Sequence, residues 1–397
     1  MKSNRLFYRT YIIVLLCLAS VCYEQHIFPY YNVMQVIISG MLAFLFVLRF
    51  KDNKYKFKRN YIVFYLLFLL MLVSNTAAAL AYGISGPMNF ISVPLFFVTG
   101  ISMYIVLPGL FERDPKLKHL VLQLIIYISL LLSLFSILLE FAGGKFLIWS
   151  KPYLTRNASI YYDPNFLANI LGVGLLMVLF YKDFSLIKRI VISAIIASAV
   201  YLSGSRGGLV AIAGALVVYL VIFSKLKNWK KILLLIIVLI VGFYAYKILY
   251  SLDYFRIYQG SNMREEMWTW AAGMSLKSPV FGYGYGTVEH YLQQSGFTNA
   301  STHNSFIDFG FSYGLICLAL YIYLVARSLI RSIKNNNKGF VVPVLLFMII
   351  NSNTILYSFG GVGFSSILYT IFIGILDLDN IKYRTSSDNK KYSVDGV

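Results

Sequence analysis

Charged side chains are scarce in this chain, and acidic ones most of all. Of its 397 residues only 16 are Asp or Glu and 13% are charged, whereas 59% are hydrophobic, and the mean hydropathy is +0.71. A soluble globular domain has about a quarter of its residues charged, so this class of protein is excluded. The composition is typical of an integral membrane protein that crosses the bilayer many times.

Cysteine is nearly absent too, and the few acids are dispersed. The three cysteines lie in or beside apolar runs without metal-ligand spacing, which excludes a disulfide framework and argues against a zinc site: Cys17, Cys22 and Cys317. The acids near the polar segments are too far apart in sequence to predict a divalent-metal site: Glu265, Glu266, Glu289 and Asp308. We therefore predict neither a metal nor a cofactor.

Long apolar runs alternate with short polar segments. About twelve of these runs could cross a bilayer as helices, and they fall roughly at residues 10–23, 30–48, 61–82, 90–110, 119–141, 164–181, 186–202, 209–223, 232–250, 305–326, 340–353 and 359–376. The sequence thus predicts an all-α fold, with one polytopic domain over residues 1–397 and about twelve transmembrane helices.

Basic residues follow the same alternation. Short loops rich in Lys and Arg stay in the cytoplasm, and with the N-terminus inside, 27 of the 35 basic residues fall in cytoplasmic segments. Both termini are therefore predicted to be cytoplasmic, including a tail at 377–397. Because the basic residues are spread over seven segments, the net charge of +19 does not indicate nucleic-acid binding. The first run lacks a small-residue cleavage site and predicts a signal anchor.

Two predicted outer loops are long, residues 142–163 and 251–303. Backbone outside a helix needs hydrogen-bond partners, so the second loop, between the ninth and tenth helices, is predicted to fold against the bundle. A helix within it is predicted to have Ser261 as its cap, with Arg264 and Trp268 four residues apart on one face. The Gly-Tyr-Gly-Tyr-Gly run at 282–286 predicts a turn presenting aromatic faces, because the contexts of a phosphate loop or a channel filter are missing.

Arg206 stands between two apolar runs at the predicted outer interface, within Ser203-Gly204-Ser205-Arg206-Gly207-Gly208. The backbone amides around it, the N-terminus of the next helix and the guanidinium together predict an anion site. Diphosphate is a natural ligand for such a site. The alternative is an arginine that only snorkels to lipid headgroups.

The first long loop contains Arg156-Asn157 and ends in Asp163-Pro164-Asn165. Asp163 as a cap followed by Pro164 in the first turn predicts an ordinary helix start. Arg156 and Asn157 are predicted to remain free for ligand contacts.

His303 directly precedes the tenth apolar run, in Thr302-His303-Asn304-Ser305. A helix N-terminus disfavours imidazolium, so this ring is expected to be neutral near pH 7 and able to accept a proton. Asp308 lies five residues on, which is too far round the helix for a direct pair to be expected. The alternatives are a structural role for His303 and a base role for His290 in the same loop.

Together these motifs resemble the bacterial O-antigen ligase and polymerase superfamily of membrane glycosyltransferases. The resemblance spans most of the chain and rests on Arg156-Asn157 with Asp163-Pro164-Asn165 and Ala168, Ser203-Gly204-Ser205-Arg206-Gly207-Gly208, Arg264 with Trp268, Ser278-Pro279 with Gly282-Tyr283-Gly284, and His303-Asn304-Ser305 with Gly310 and Gly314. Each motif is weak alone, whereas the ordered set at matching topological positions is fairly specific.

The resemblance implies a GT-C-like fold and inverting, metal-independent transfer of a glycan from an undecaprenyl-diphosphate carrier. The reaction would take place on the outer face of the bacterial cytoplasmic membrane. By this likeness His303 deprotonates the acceptor hydroxyl, the donor diphosphate is held by Arg206, Arg264 and Arg156, and the supporting residues are Asn157, Ser205, Asn304 and Trp268. The implied partners are the lipid-linked oligosaccharide, the bilayer, and flippase and chain-length regulator proteins.

The motifs do not separate two reactions of this superfamily. A polymerase joins one lipid-linked repeat unit to another, whereas a ligase transfers the finished polymer to lipid A core. Two long outer loops, one with Arg156 and one with Arg264, favour a polymerase of O-antigen, capsule or exopolysaccharide. A lipid-linked oligosaccharide transporter is the rival class, disfavoured because the halves look dissimilar and few acids or bases lie inside the predicted spans.

Overall fold

Every predicted apolar run overlaps a helix of the structure. The structure is a computed structural model that describes residues 2–21, 31–50, 61–82, 87–147, 149–151, 156–161, 163–181, 183–224, 226–251, 263–298, 301–335 and 339–378. Helices satisfy their own backbone hydrogen bonds, which is why apolar segments take this form in a bilayer. The all-α prediction is confirmed.

The helices follow one another in chain order as α1 (Lys2–Val21), α2 (Tyr31–Phe50), α3 (Ile62–Tyr82), α4 (Pro87–Ile101), α5 (Leu107–Arg113), α6 (Pro115–Phe141), α7 (Pro164–Phe180), α8 (Leu186–Leu202), α9 (Arg206–Phe223), α10 (Asn228–Ser251), α11 (Arg264–Lys277), α12 (Val288–Gln294), α13 (Ser305–Lys334), α14 (Val341–Asn351) and α15 (Phe364–Leu378). A π-helical turn, Ser102–Val106, joins α4 to α5. Two short strands, β1 (Lys145–Phe146) and β2 (Trp149–Ser150), form an antiparallel hairpin.

Five stretches of helix are long and apolar enough to cross a membrane: Ile62–Tyr82, Ile91–Arg113, Pro115–Phe141, Arg206–Phe223 and Ser305–Lys334. Shorter apolar helices accompany them. The protein is thus an α-helical membrane protein. The count of about twelve spans, the GT-C-like arrangement, the single domain and the orientation of the termini stay predictions.

The chain divides into two compact units. The first comprises residues 1–34, 115–262 and 336–355, and the second comprises residues 35–114, 263–335 and 356–397. Each unit therefore combines segments that are distant in sequence. The predicted anion-site motif falls in the first unit, and the predicted base falls in the second.

Helix α7 is the centre of the first unit. It packs against α6, α8, α9 and α14, and every residue from Leu167 to Val178 is buried. A helix surrounded on all sides must be apolar on all sides, and its one buried amide, Asn169, accepts a hydrogen bond of 3.0 Å from Asn351 Nδ2 on α14. The start of α7 agrees with prediction: Asp163 caps it by accepting a 2.8 Å bond from Asn165 N, and Pro164 occupies its first turn.

Helix α13 in the second unit is broken at Gly314, where φ is 84° and ψ is 167°. A break leaves backbone groups without helical partners, and residues 278–284 supply them. Tyr283 N donates to Phe311 O (2.9 Å), Gly284 N donates to Ser312 O (2.9 Å), and Leu315 N donates to Pro279 O (2.7 Å). The Gly-rich turn is thus joined to the break, and the short first part of α13 is held in place by it.

The Tyr283 ring is turned inward in this arrangement. It is 7% exposed and stacks on Phe311 with centroids 4.9 Å apart, with Tyr82 on another side at 5.0 Å. The prediction that this turn presents aromatic faces is therefore wrong for Tyr283. The backbone N–H groups of Tyr283 and Gly284 are both bonded to the broken helix, and the ring packs against Phe311 of that helix.

Replacing Gly314 by Ala is expected to destabilise the second unit. The backbone angles belong to a region that only glycine occupies readily, and a Cβ atom would lie 2.9 Å from Pro279 O and 2.6 Å from the Val280 carbonyl carbon. We expect a loss of at least about 2 kcal/mol, read as a lower melting temperature and a smaller monodisperse fraction in detergent. Gly273→Ala is the matched control, because nothing lies within 4 Å of its Cβ position in α11. Equal melting temperatures for the two variants would contradict this account of the break.

Candidate active site

Arg206 is the first residue of α9, and the turn before it is ordered by serine side chains. Ser205 is the N-cap, and its Oγ accepts a 3.2 Å bond from Gly208 N. Gly204 has φ 58°, which lets the chain turn sharply from α8 into α9. The Arg206 side chain is half-buried. The sequence thus builds a helix N-terminus with a guanidinium at its first position, an arrangement suited to an anion.

Asn165 connects this turn to the first long loop. Its Oδ1 accepts one bond from Ser205 Oγ (2.9 Å) and another from Arg156 Nη2 (3.0 Å). Arg156 Nε also donates to Ser203 O at 2.9 Å. Two motifs that are some forty residues apart in sequence therefore meet in one hydrogen-bonded group of Arg156, Asn165, Ser203 and Ser205. Together with Arg206, which follows Ser205 directly, this group is called here the arginine cluster.

Arg156 and Asn157 differ from the prediction that they are free for ligand contacts. Arg156 is only 6% exposed and is bonded within the arginine cluster. Asn157 is fully buried. Its Oδ1 accepts from Ser136 Oγ and Ser159 N, and its Nδ2 donates to Ser136 O and Glu140 Oε2. The prediction of freedom is wrong because both side chains attach the loop to the unit.

The predicted base, His303, lies immediately before α13. Asn304 is the N-cap, and its Oδ1 accepts from Phe306 N (3.0 Å) and Ile307 N (3.1 Å). Ser305 Oγ accepts from Tyr357 N at 2.8 Å. These bonds satisfy orphan donors of the first turn and of the segment after α14. His303 thus precedes a helix start whose position is fixed by hydrogen bonds.

His303 has a left-handed backbone, with φ 55°. For a residue with a Cβ this conformation costs about 1–2 kcal/mol, so neighbouring contacts must hold it. Thr302 before it is fully buried and Asn304 after it is 5% exposed, whereas the His303 side chain is half-buried. Strained residues of this kind concentrate at functional sites.

Trp268 is part of what holds the segment. Its Nε1 donates a 2.8 Å hydrogen bond to Thr302 O, the carbonyl just before His303. Helix α11, on which Trp268 lies, packs along α13. The helix predicted within the second long loop is therefore present, and we call the group around its contact with α13 the histidine cluster: Trp268, Thr302, His303, Asn304 and Asp308.

Arg264 is the first residue of α11 and is half-buried. The N-cap position is Met263, with φ 61° and without a side-chain cap, rather than the predicted Ser261, which lies outside the described residues. Arg264 is thus, like Arg206, an arginine at a helix N-terminus. Glu265 and Glu266 share that first turn.

Four positions in these clusters are not among the site residues predicted from the sequence: Asn165, Ser203, Thr302 and Asp308. Asn165 is the shared acceptor of the arginine cluster, and Thr302 is the shared partner of Trp268 and Asp308. The sequence points to Asn165 and Thr302 only because they adjoin predicted motifs: Asn165 follows Asp163-Pro164, and Thr302 precedes His303. Within the described residues, no group of three or more His, Cys, Asp or Glu is placed to hold a metal ion, and metal independence stays a prediction.

Comparison with known families matches part of the chain to a family model. Residues 191–322 match the family model described as O-Antigen ligase. This stretch contains Arg206, Arg264, Trp268, His303 and Asn304, whereas Arg156 precedes it. No curated protein matches the chain. The predicted resemblance to the O-antigen ligase and polymerase superfamily is confirmed by the family match.

Proposed function

We propose that this chain is a membrane glycosyltransferase of the O-antigen ligase and polymerase superfamily that polymerises undecaprenyl-diphosphate-linked oligosaccharide repeat units. The observation that supports this most is His303, which is held in a left-handed conformation at the start of α13, inside the stretch that matches the family. A proton-accepting group on a rigid helix start is what a transfer to a hydroxyl acceptor needs.

The proposed step is a single displacement. His303 accepts the proton of the acceptor hydroxyl while that oxygen attacks the anomeric carbon of the donor sugar. The bond between this carbon and the diphosphate oxygen breaks, so the configuration inverts and undecaprenyl diphosphate leaves with the bonding electron pair. The imidazolium then loses its proton to water.

Arg206 and Arg264 are proposed to stabilise the departing diphosphate. Each is the first residue of a helix, where backbone N–H groups and the helix dipole also favour an anion. Fixed positive groups of this kind can stabilise a leaving phosphate without a metal ion. Arg156 is proposed to contribute to donor binding by holding the turn before Arg206, since its two bonds are to Ser203 and Asn165.

Ligation is the second candidate, because the matching family model is described as O-Antigen ligase. Polymerisation is favoured by the pair of long predicted outer loops, one with Arg156 and one with Arg264. In both reactions the donor is a lipid-linked glycan, and the acceptor distinguishes them. We propose that the reaction occurs on the outer face of the cytoplasmic membrane, with both termini of the chain inside.

One assay separates these functions. Purified protein is incubated with an undecaprenyl-diphosphate-linked repeat unit in EDTA, with and without a lipid A core acceptor, and the products are separated by size. A ladder without acceptor is expected for the polymerase, and a single acceptor-dependent product would support the ligase. Absence of transfer by folded protein, in EDTA and with added Mg²⁺, would contradict both and favour a transporter. Transfer that needs Mg²⁺ would overturn metal independence.

A further inference from the structure

The segment before α13 is held from both sides through Thr302. On one side Trp268 Nε1 donates to Thr302 O at 2.8 Å. On the other side the Asp308 carboxylate accepts from Thr302 twice: Oδ1 lies 2.5 Å from Thr302 Oγ1 and 3.3 Å from Thr302 N. Thr302 is fully buried, so these bonds have little competition from water.

Asp308 is placed for this task by the cap of its helix. Asn304 is the N-cap of α13, and Asp308 N donates to Asn304 O at 2.9 Å, which closes the first helical bond. The Asp308 side chain then reaches back past the cap to the residue before His303. The result is a ring of chain, from Thr302 to Asp308, in which the left-handed His303 is fixed between two anchored neighbours.

We propose that Asp308 is a positioning residue for the transfer reaction, which acts through Thr302 to hold the His303 backbone in its left-handed conformation and so aims the imidazole at the acceptor hydroxyl. This inference rests on the proposed role of His303 as the base. Asp308 would contribute to turnover through orientation, because a catalytic group displaced by about 1 Å can lose about 100-fold in rate. The lipid-linked donor does not touch Asp308 in this account, so its affinity should be preserved.

The test compares four variants of the full-length protein in the transfer assay. Asp308→Asn replaces the charged acceptor by a neutral amide, which accepts weaker hydrogen bonds, and Thr302→Val removes the hydroxyl donor. We expect kcat to fall about 30-fold in each, with KM within about twofold. Thr302→Ser keeps the hydroxyl and should retain at least about half of kcat. Glu289→Gln, which neutralises an exposed acid on α12, is the matched control and should behave as wild type.

The double variant Asp308→Asn/Thr302→Val shows whether Asp308 and Thr302 affect kcat through their mutual hydrogen bonds or independently of each other. If the two residues act as a unit, its kcat should lie within about threefold of either single variant. A further fall of about 30-fold, or full activity of Asp308→Asn, would overturn the proposal.

Two further variants distinguish a failed positioning role of Asp308 from misfolding and from a wrong assignment of the base. If Asp308→Asn elutes aggregated or melts early, Thr302→Val tests the same pair from the other side. Asp308→Glu retains the carboxylate, and equal loss in well-folded Asp308→Glu and Asp308→Asn would also count against positioning through Thr302. His303→Ala is assayed in parallel. If that variant is active, the base assignment itself fails, whereas an inactive His303→Ala beside a fully active Asp308→Asn refutes only the positioning role.

Discussion

Replacement of His303 by Ala should abolish glycan transfer while leaving donor binding nearly unchanged. Loss of a general base lowers rates by about 10²–10⁴-fold, and the methyl group that replaces the imidazole can accept no proton. The helix start should survive, because Asn304 makes the cap through its own side chain. Product ladders report transfer, and titration with the undecaprenyl-diphosphate-linked repeat unit reports binding.

His290→Ala is the control for this experiment. His290 is the alternative base in the same predicted loop, and it lies on α12 as an exposed side chain, with its Nε2 2.9 Å from Gln294 Nε2. We expect its replacement to leave turnover within about twofold, since exposed side chains away from a site rarely matter. Normal polymer from a well-folded His303→Ala protein would refute the base assignment, and loss of activity in His290→Ala would transfer that assignment to His290.

His303→Gly separates the side chain from the strain of its backbone. Glycine adopts positive φ without penalty, so this variant should be at least as stable as His303→Ala. It still lacks a base and should be equally inactive. Activity in the glycine variant alone would mean that His303 serves the turn rather than the chemistry.

Helix positions were the most predictable part of this structure. Apolar runs become helices because the bilayer leaves the backbone no other partner, and Asp163-Pro164 marks the start of α7 through strictly local chemistry. The break in α13 was not predictable in the same way. Gly314 lies in an otherwise continuous apolar run, and its conformation depends on carbonyl and amide groups of residues 278–284 that only folding brings alongside.

The candidate site likewise has a part that the sequence predicts and a part that only the structure shows. The order of motifs predicted which residues matter, but pairwise partners depended on tertiary structure. Asn157 looked available for a ligand and is instead saturated by bonds to α6 and its own loop. Asp308 is too far round the helix to be expected to pair directly with His303, and the structure pairs it with Thr302, the residue before His303. A loop sequence reveals which polar groups are present, while folding decides which of them are already satisfied.

Replacement of Arg206 by Ala should weaken donor binding and turnover together. The guanidinium is proposed to contact the diphosphate both before and during its departure, when negative charge on the leaving oxygen grows. Removal of one such stabilising group costs about 10²–10³-fold in turnover, and we expect the dissociation constant of the donor to rise about tenfold, because one charge-assisted hydrogen-bonding group is lost. Arg264→Ala should show the same pattern, since it too begins a helix.

Two further variants, Arg206→Lys and Arg331→Ala, make this test more specific. Arg206→Lys keeps the charge but not the planar fork, so it should recover binding more than turnover. Arg331→Ala, in the last turn of α13, removes an arginine at the end of the helix opposite to His303 and should change neither quantity by more than about twofold. If Arg206→Ala lowered neither donor affinity nor turnover, the residue would be a lipid-headgroup arginine. The turn ordered by Ser205 and Asn165 would then be a structural feature of the α8–α9 connection rather than an anion site.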